Sequence, residues 1–395
     1  MVPMVVLSPV VGVLVDRSNR KLMMMVSDLA AALTTVLVLV LYSLGQLQIW
    51  HLYITATIAG IFQGFQWPAY SAAISVMLPK EQYARANGMI DLAGNASGIL
   101  APLLAGALIG PLGLRGLLII DLCAAAVAVG TLFFVHIPQP TVSQAGREGQ
   151  GSFFKEAAYG FRYIFARPSL LGLQIVFLVG NFFTATAFAV LAPMILARSG
   201  SNAIVFGSVQ TAGAIGGVAG GLLLSAWGGF KRRIHGVLLG WFCSGLLGFV
   251  VMGLGQSLPV WIVGMVAMNL VIPILNGSNQ AIWQAKVAPD VQGRVFATRR
   301  LIAWIVSPLS RLIAGPLVDQ LLEPAMSEGG SLIGLFGPLV GTGAGSGMGL
   351  LFAVTGLCAA VVGLGGYLFP FIRNVETIIP DHDVPAATAA VAPEA

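Results

Sequence analysis

Few side chains in this sequence could do chemistry, and each stands out against an apolar background. The densest group is Gly12-Val-Leu14-Val-Asp16-Arg17-Ser-Asn-Arg20-Lys21, one carboxylate and three bases in ten residues between apolar runs. Two readings are open. The bases fix which side of a membrane the loop occupies, or the acid and its neighbours form a gate whose ion pairs break and re-form.

The apolar runs hold isolated ionisable residues. Asp28, Asp91 and Asp121 each fall inside one. A charge at the bilayer centre costs at least about 2.5–3.5 kcal/mol, so an acid kept there needs a use. It carries a proton, loading it in one state and releasing it in another, or it pairs locally to hold the fold. Arg311 lies mid-run and could pair with such an acid or meet an anionic substrate. Gln63, Gln66, Asn181 and Asn276 lie in the same runs, near Phe65, Trp67, Phe182, Phe183 and Trp283. A few polar groups in an aromatic wall suit a cavity for a bulky amphipathic molecule. Hydrogen bonds between helices, worth about 0.6 kcal/mol each, are the plainer use.

Other chemistries lack their residues. Cys123, Cys243 and Cys358 sit in apolar runs without metal-ligand spacing and read as small packing groups. The string Gly341-Thr-Gly343-Ala-Gly345-Ser-Gly347 lacks the Lys-Ser/Thr ending of a nucleotide loop. With no nucleophile elbow and no ligand cluster, no enzyme, metal or cofactor is expected.

The elements that position these groups follow from composition. The chain has 395 residues, 57% hydrophobic and 9% charged, with mean hydropathy +0.89, against about 25% charged in a soluble domain. It reads as an all-α polytopic membrane protein, each apolar run of about 20 residues spanning the bilayer. Eleven segments are expected: residues 2–15, 22–44, 50–77, 86–110, 116–136, 170–196, 205–227, 234–255, 259–283, 296–322 and 349–371. Alternation puts every base except Arg115, Arg198 and Arg311 on one side, which the positive-inside rule makes cytoplasmic, the C-terminus with it. The net charge of +5 thus reports topology and not nucleic-acid binding.

Four regions follow: a first transmembrane half, 1–136; a cytoplasmic connector, 137–168; a second transmembrane half, 169–372; and a tail, 373–395, whose Ala, Pro and acids mark it as disordered. Within the connector, residues 153–165 read as an amphipathic helix lying on the membrane surface and tethering the halves. The first segment is short, carries Pro3 and Pro9, and leaves the N-terminus outside. The expectation is that a first helix and part of the second are absent.

Gly12, Leu14, Asp16, Arg17, Arg20 and Lys21 resemble the hallmark loop between the second and third helices of the major facilitator superfamily of secondary transporters. Asn19 stands where that family usually has Gly. The turn Pro79-Lys-Glu-Gln-Tyr-Ala-Arg85-Ala-Asn87-Gly, and Ser307-Pro308 through Gly315-Pro-Leu-Val-Asp319, resemble its macrolide-efflux and enterobactin-exporter branch. Ser97-x3-Ala101-Pro102-x2-Ala105-Gly106 resembles the Gly-x3-Gly-Pro-x2-Gly-Gly motif of family antiporters, small size kept and glycine partly lost. The second-half loop, Trp227-Gly-Gly-Phe-Lys231-Arg232-Arg233, keeps the bases and lacks the Asp-Arg pair, as a diverged parallel repeat would.

The resemblance implies a major facilitator fold of two helix bundles, with about eleven of twelve transmembrane segments present. It implies a monomer in the plasma membrane that exports a drug-like or siderophore-like small molecule by alternating access, coupled to protons, with the lipid bilayer its only other partner. The alternative is an N-terminally truncated, non-transporting remnant or sensor on the same fold. The resemblance also implies that Asp16 meets the cytoplasmic start of the eleventh family helix, near Phe296, and holds the inside closed. Asp91, close to the antiporter-like stretch, is the first candidate for the proton, ahead of Asp121 and Asp28.

Overall fold

The computed structural model of the protein describes residues 8–382, with side chains from Val10 onward. Residues 2–7 of the first expected segment and 383–395 of the expected tail lie outside the described residues. Among the described residues there is no strand.

The first half comprises α1 (Ser8–Arg17), α2 (Arg20–Ser43), α3 (Ile49–Met77) and α4 (Tyr83–Phe134). Asn19 caps α2, its side-chain oxygen accepting from Leu22 N at 3.2 Å. The departure from the family's usual Gly thus supplies a helix start, for which Asn is among the best residues. At 52 residues, α4 would run about 78 Å if straight, against a hydrocarbon core of about 30 Å. It turns at Gly113 (φ 63°, ψ −177°), a backbone conformation open to glycine alone. The two segments expected at 86–110 and 116–136 are its two arms.

The second half comprises α5 (Pro168–Arg198), α6 (Ala203–Trp227), α7 (Arg233–Cys243), α8 (Leu258–Lys286), α9 (Gln292–Trp304), α10 (Val306–Leu317) and α11 (Ser346–Leu368). A π-helical turn, Ser244–Val250, carries α7 on to Leu254. Eight helical runs among the described residues are long and apolar enough to cross a bilayer. The difference from eleven has three sources. The arms of α4 are one continuous run, α1 is described only from Ser8, and His51, Gln63 and Gln66 dilute the apolarity of the 29-residue α3.

Lipid gives helices no hydrophobic reason to associate, so small residues and close approach hold such bundles together. α6 shows how. A Cβ on Gly216 would lie 2.6 Å from Val266 O, on α8 in the same half. A Cβ on Gly221 would lie 2.8 Å from Leu92 Cα, on α4 in the other half. One helix thus presents one glycine face to each partner and brings the halves to backbone contact beside Asp91.

Two expectations change here. The stretch at 153–165 is two short helices, Phe153–Ala157 and Tyr159–Phe165. Phe154 and Phe165 remain exposed, but Tyr159, Tyr163 and Ile164 are buried against the second half. The Tyr163 hydroxyl donates to Lys286 O at 3.3 Å. The aromatic face is therefore spent on protein and not on the membrane surface. Nor is the start of the tail disordered. Val375 is fully buried, and a short helix, Val375–Ile378, packs under α7, where Glu376 accepts from Ile234 N at 3.0 Å.

Candidate functional site

Asp16 lies in the last turn of α1, against the first turn of α9. Its Oδ1 accepts from Gly293 N at 2.7 Å, and its Oδ2 accepts from Arg294 N at 3.0 Å and Arg294 Nε at 2.9 Å. The first N–H groups of a helix have no partner within it, and its dipole favours an anion there. Both side chains are almost wholly buried, 3% exposed for Asp16 and 6% for Arg294. Burial pushes the Asp16 carboxyl up, to about 6, with Arg294 pulling against it. The buried charge is thus held at a cost that separation would relieve, which keeps the contact reversible. Gly12 makes the approach possible, since a Cβ there would lie 2.7 Å from Gly293 O. The helix that Asp16 was expected to meet near Phe296 begins earlier, at Gln292.

The other bases of the loop divide the work. Arg17 donates from Nε and Nη2 to the two oxygens of Glu156, both at 3.0 Å. Its hydrogen bond holds Glu156 below the usual carboxylate range, against burial, and Glu156 raises Arg17 in turn. Glu156 also lies 3.9 Å from Arg294 Nη1. Asp16, Arg294, Glu156 and Arg17 therefore form a chain of alternating charge that ties α1, α9 and the connector together. Arg20 is buried, donating to Ala72 O at 2.7 Å and to Pro289 O. Lys21 donates to Phe133 O at 2.8 Å, and Leu14 is exposed.

A second fastening lies beside the first. Arg233, in the loop that lacks the acid, donates to Lys80 O at 2.5 Å and Ala281 O at 3.2 Å. The acid comes instead from the C-terminal segment. Asp381 lies 2.7 Å from Lys80 Nζ and 2.8 Å from Lys286 Nζ, one lysine from each half. Burial opposes this charge, but the two lysines hold Asp381 below its ordinary range. Between the fastenings runs a buried polar ladder. Ser75 Oγ donates to Gln292 Oε1 at 2.7 Å, Asn87 Nδ2 to Gln284 Oε1 at 2.9 Å, and Gln284 Nε2 to Ser71 O at 3.0 Å. Among the described residues, the hydrogen bonds between the two halves all lie at this basic end.

Above that floor is a cavity of about 420 Å³ lined by Ser71 and Asn87, by Asp91 on α4, by Asn181 and Asn276, and by Arg299 and Arg300 on α9. Trp67, Phe177, Trp241 and Trp304 supply its aromatic wall. A second cavity, of about 830 Å³, shares Asn181, Thr184, Ala303 and Trp304 with it and continues to Arg311 and Asp319. Of the expected cavity residues, Asn181, Asn276 and Arg311 thus line this passage. Gln63 is exposed and Gln66 donates to Asp28 at 2.8 Å, so these two line neither cavity.

The three acids separate. Asp91 lines the central cavity, and its Oδ2 is buried with no hydrogen-bond partner among the described residues. Asp28 is bonded to Gln66, and Asp121 is exposed and accepts from Thr35 at 2.8 Å. The antiporter-like residues Ser97, Ala101, Pro102, Ala105 and Gly106 are all exposed in the first arm of α4. Sequence reasoning missed Glu156, Asp381, Arg299 and Arg300. It counted both arginines only among the bases of one side, near the start of the segment expected at 296–322, whereas α9 begins at Gln292 and carries them about two turns into the helix.

A helical membrane protein whose halves are fastened at one end, over a polar passage between them, belongs to the class of solute transporters. The family follows from sequence: residues 1–310 match the family model of the Major Facilitator Superfamily. The chain belongs to that superfamily and so is a multi-pass membrane transporter, not an enzyme. It is 26% identical over 321 residues to macrolide efflux protein A of Streptococcus pyogenes, covering 81% of this chain and 78% of that one. It is 27% identical over 309 residues to macrolide efflux protein A of Enterococcus faecalis, covering 78% and 95%. Its fold is similar to that of the human organic anion transporter MFSD10 (TETRAN), with TM-score 0.67 at 16% identity, covering 91% of this chain and 81% of that one.

Proposed function

We propose that the chain is a secondary exporter of drug-like or siderophore-like small molecules, working in the plasma membrane by alternating access with its basic end cytoplasmic. One observation carries the reading: Asp16 of the first half sits on the N-terminus of α9 in the second, closing the basic end beneath a cavity between the halves. Parting that contact and closing the far end would expose the cavity to the other side. The macrolide-efflux relatives support export as the direction.

Proton coupling is assigned to Asp91. A carboxylate oxygen buried without a partner is costly unless it takes a proton; Asp91 has such an oxygen, unpartnered among the described residues, and lines the cavity. Loading it from one side and emptying it to the other would drive solute the opposite way. The test is efflux of a panel of lipophilic drugs from a pump-deficient host, with and without a protonophore. Accumulation unchanged by expression of the protein at verified membrane levels would overturn the exporter reading and favour a non-transporting sensor.

A further inference from the structure

The cavity holds more positive charge than it neutralises. Its lining includes two guanidinium groups, Arg299 and Arg300, and one carboxylate, Asp91. Neither arginine has an ion-pair partner among the described residues. Arg299 donates to Gln280 Oε1 at 2.8 Å and lies 5.1 Å from the Trp283 ring. Arg300 lies 5.3 Å from the Trp67 ring. These neutral partners orient the two groups without cancelling their charge.

Their position is built and not incidental. Pro79-x-x-Gln82 and Pro289-x-x-Gln292 are equivalent turns, each leading through a short 3-10 turn into a helix. Asp91 is the ninth residue beyond Gln82, and Arg299 and Arg300 are the seventh and eighth beyond Gln292. At a rise of about 1.5 Å per residue, acid and bases lie a similar distance along the two helices, and all three line the one cavity. A guanidinium out of bulk water seeks an anion, and its planar fork takes a carboxylate, sulfonate or phosphate through two hydrogen bonds. The aromatic rings around it suit a flat apolar body.

We propose that the transported molecule is an amphipathic organic anion, its acidic group bound by Arg300 with Arg299 beside it and its aromatic body against Trp67 and Trp304. This rests on the exporter reading and names the substrate class for the same cavity.

The test measures binding of two fluorescent probes to the purified protein in lipid nanodiscs, carboxyfluorescein as aromatic anion and ethidium as aromatic cation. Carboxyfluorescein is expected to bind saturably. R300Q should weaken it about tenfold or more, the scale of a lost charge-assisted pair, while R300K, which keeps the charge and loses the fork, weakens it less. R299Q is expected to fall between, and ethidium to bind weakly in all four proteins. Size-exclusion profiles and circular dichroism establish that each variant is folded, and R300K shows that the site tolerates replacement. Preference of the wild type for ethidium, or carboxyfluorescein binding that R300Q leaves unchanged, overturns the assignment. Efflux of ethidium from cells without carboxyfluorescein binding would sink the anion and keep the exporter; carboxyfluorescein binding without efflux of any compound would do the reverse.

Discussion

Asp16 and Arg294 stand 278 residues apart in the chain and 2.9 Å apart in space, and through them the first half of the molecule grips the second. The carboxylate also takes the backbone N–H groups of Gly293 and Arg294, so it reads a helix terminus as well as a side chain.

Replacing Asp16 by Asn keeps the shape and removes the charge. Efflux is expected to fall about tenfold or more, the scale of one charge-assisted hydrogen bond of about 1.5–3 kcal/mol, with membrane insertion intact. Gly12→Val should do the same by another route, because its side chain meets the backbone of Gly293. Drug accumulation at matched expression is the measurement. Wild-type efflux by D16N would remove the gating role.

The pair of Arg17 and Glu156 makes a pH prediction. Glu156 is held below its ordinary 4.5, chiefly by Arg17. A carboxylate lowered in the folded state contributes stability above its ordinary value and loses it as pH falls through the lowered one. The connector should therefore loosen on acidification below about 4.5, and E156Q should be loose already at neutral pH, with no further step. A spin label at the exposed position 154 reads this as mobility. Equal mobility of E156Q and the wild type at neutral pH would show that the pair does not hold the connector.

Asp91→Asn removes the proposed proton carrier and keeps a hydrogen-bonding group in the cavity. Gradient-driven transport into everted vesicles is expected to be lost while solute exchange at equal pH persists. Loss of both would make Asp91 a binding or structural group, and retention of both would move the proton elsewhere.

Asp381→Asn releases Lys80 and the nearly buried Lys286 from their shared anion. Lys286 keeps the carbonyls of Glu376 and Ile379, and Asp381 is 24% exposed. The loss is therefore modest, about 1–2 kcal/mol after solvent screening. A lowered unfolding midpoint in detergent checks it. An unchanged midpoint would mean that the C-terminal segment is held by Val375 and the backbone contacts alone.

The loop from Gly12 to Lys21 was legible because its residues are contiguous and their spacing is itself the signal. Its destination on the eleventh family helix came with the resemblance, and the structure moves that helix's start to Gln292. Glu156 was not legible. In sequence it is one acid in a connector, and its meaning depends on Arg17, 139 residues away. Asp381 was hidden in the same way, in a stretch whose composition reads as disordered and whose order comes from the burial of Val375.

Periodicity, apolar length and charge content are local properties, and they determined from sequence alone a helical membrane protein in two halves with a basic end. Depth and partnership are not local. Arg299 and Arg300 read from the sequence as two more bases of the basic side, at the start of the segment expected at 296–322. The folded chain puts them in the lining of the cavity that Asp91 also lines. The tertiary structure decided that, because the position of a helix along its axis is set by what its first N–H groups find to bind.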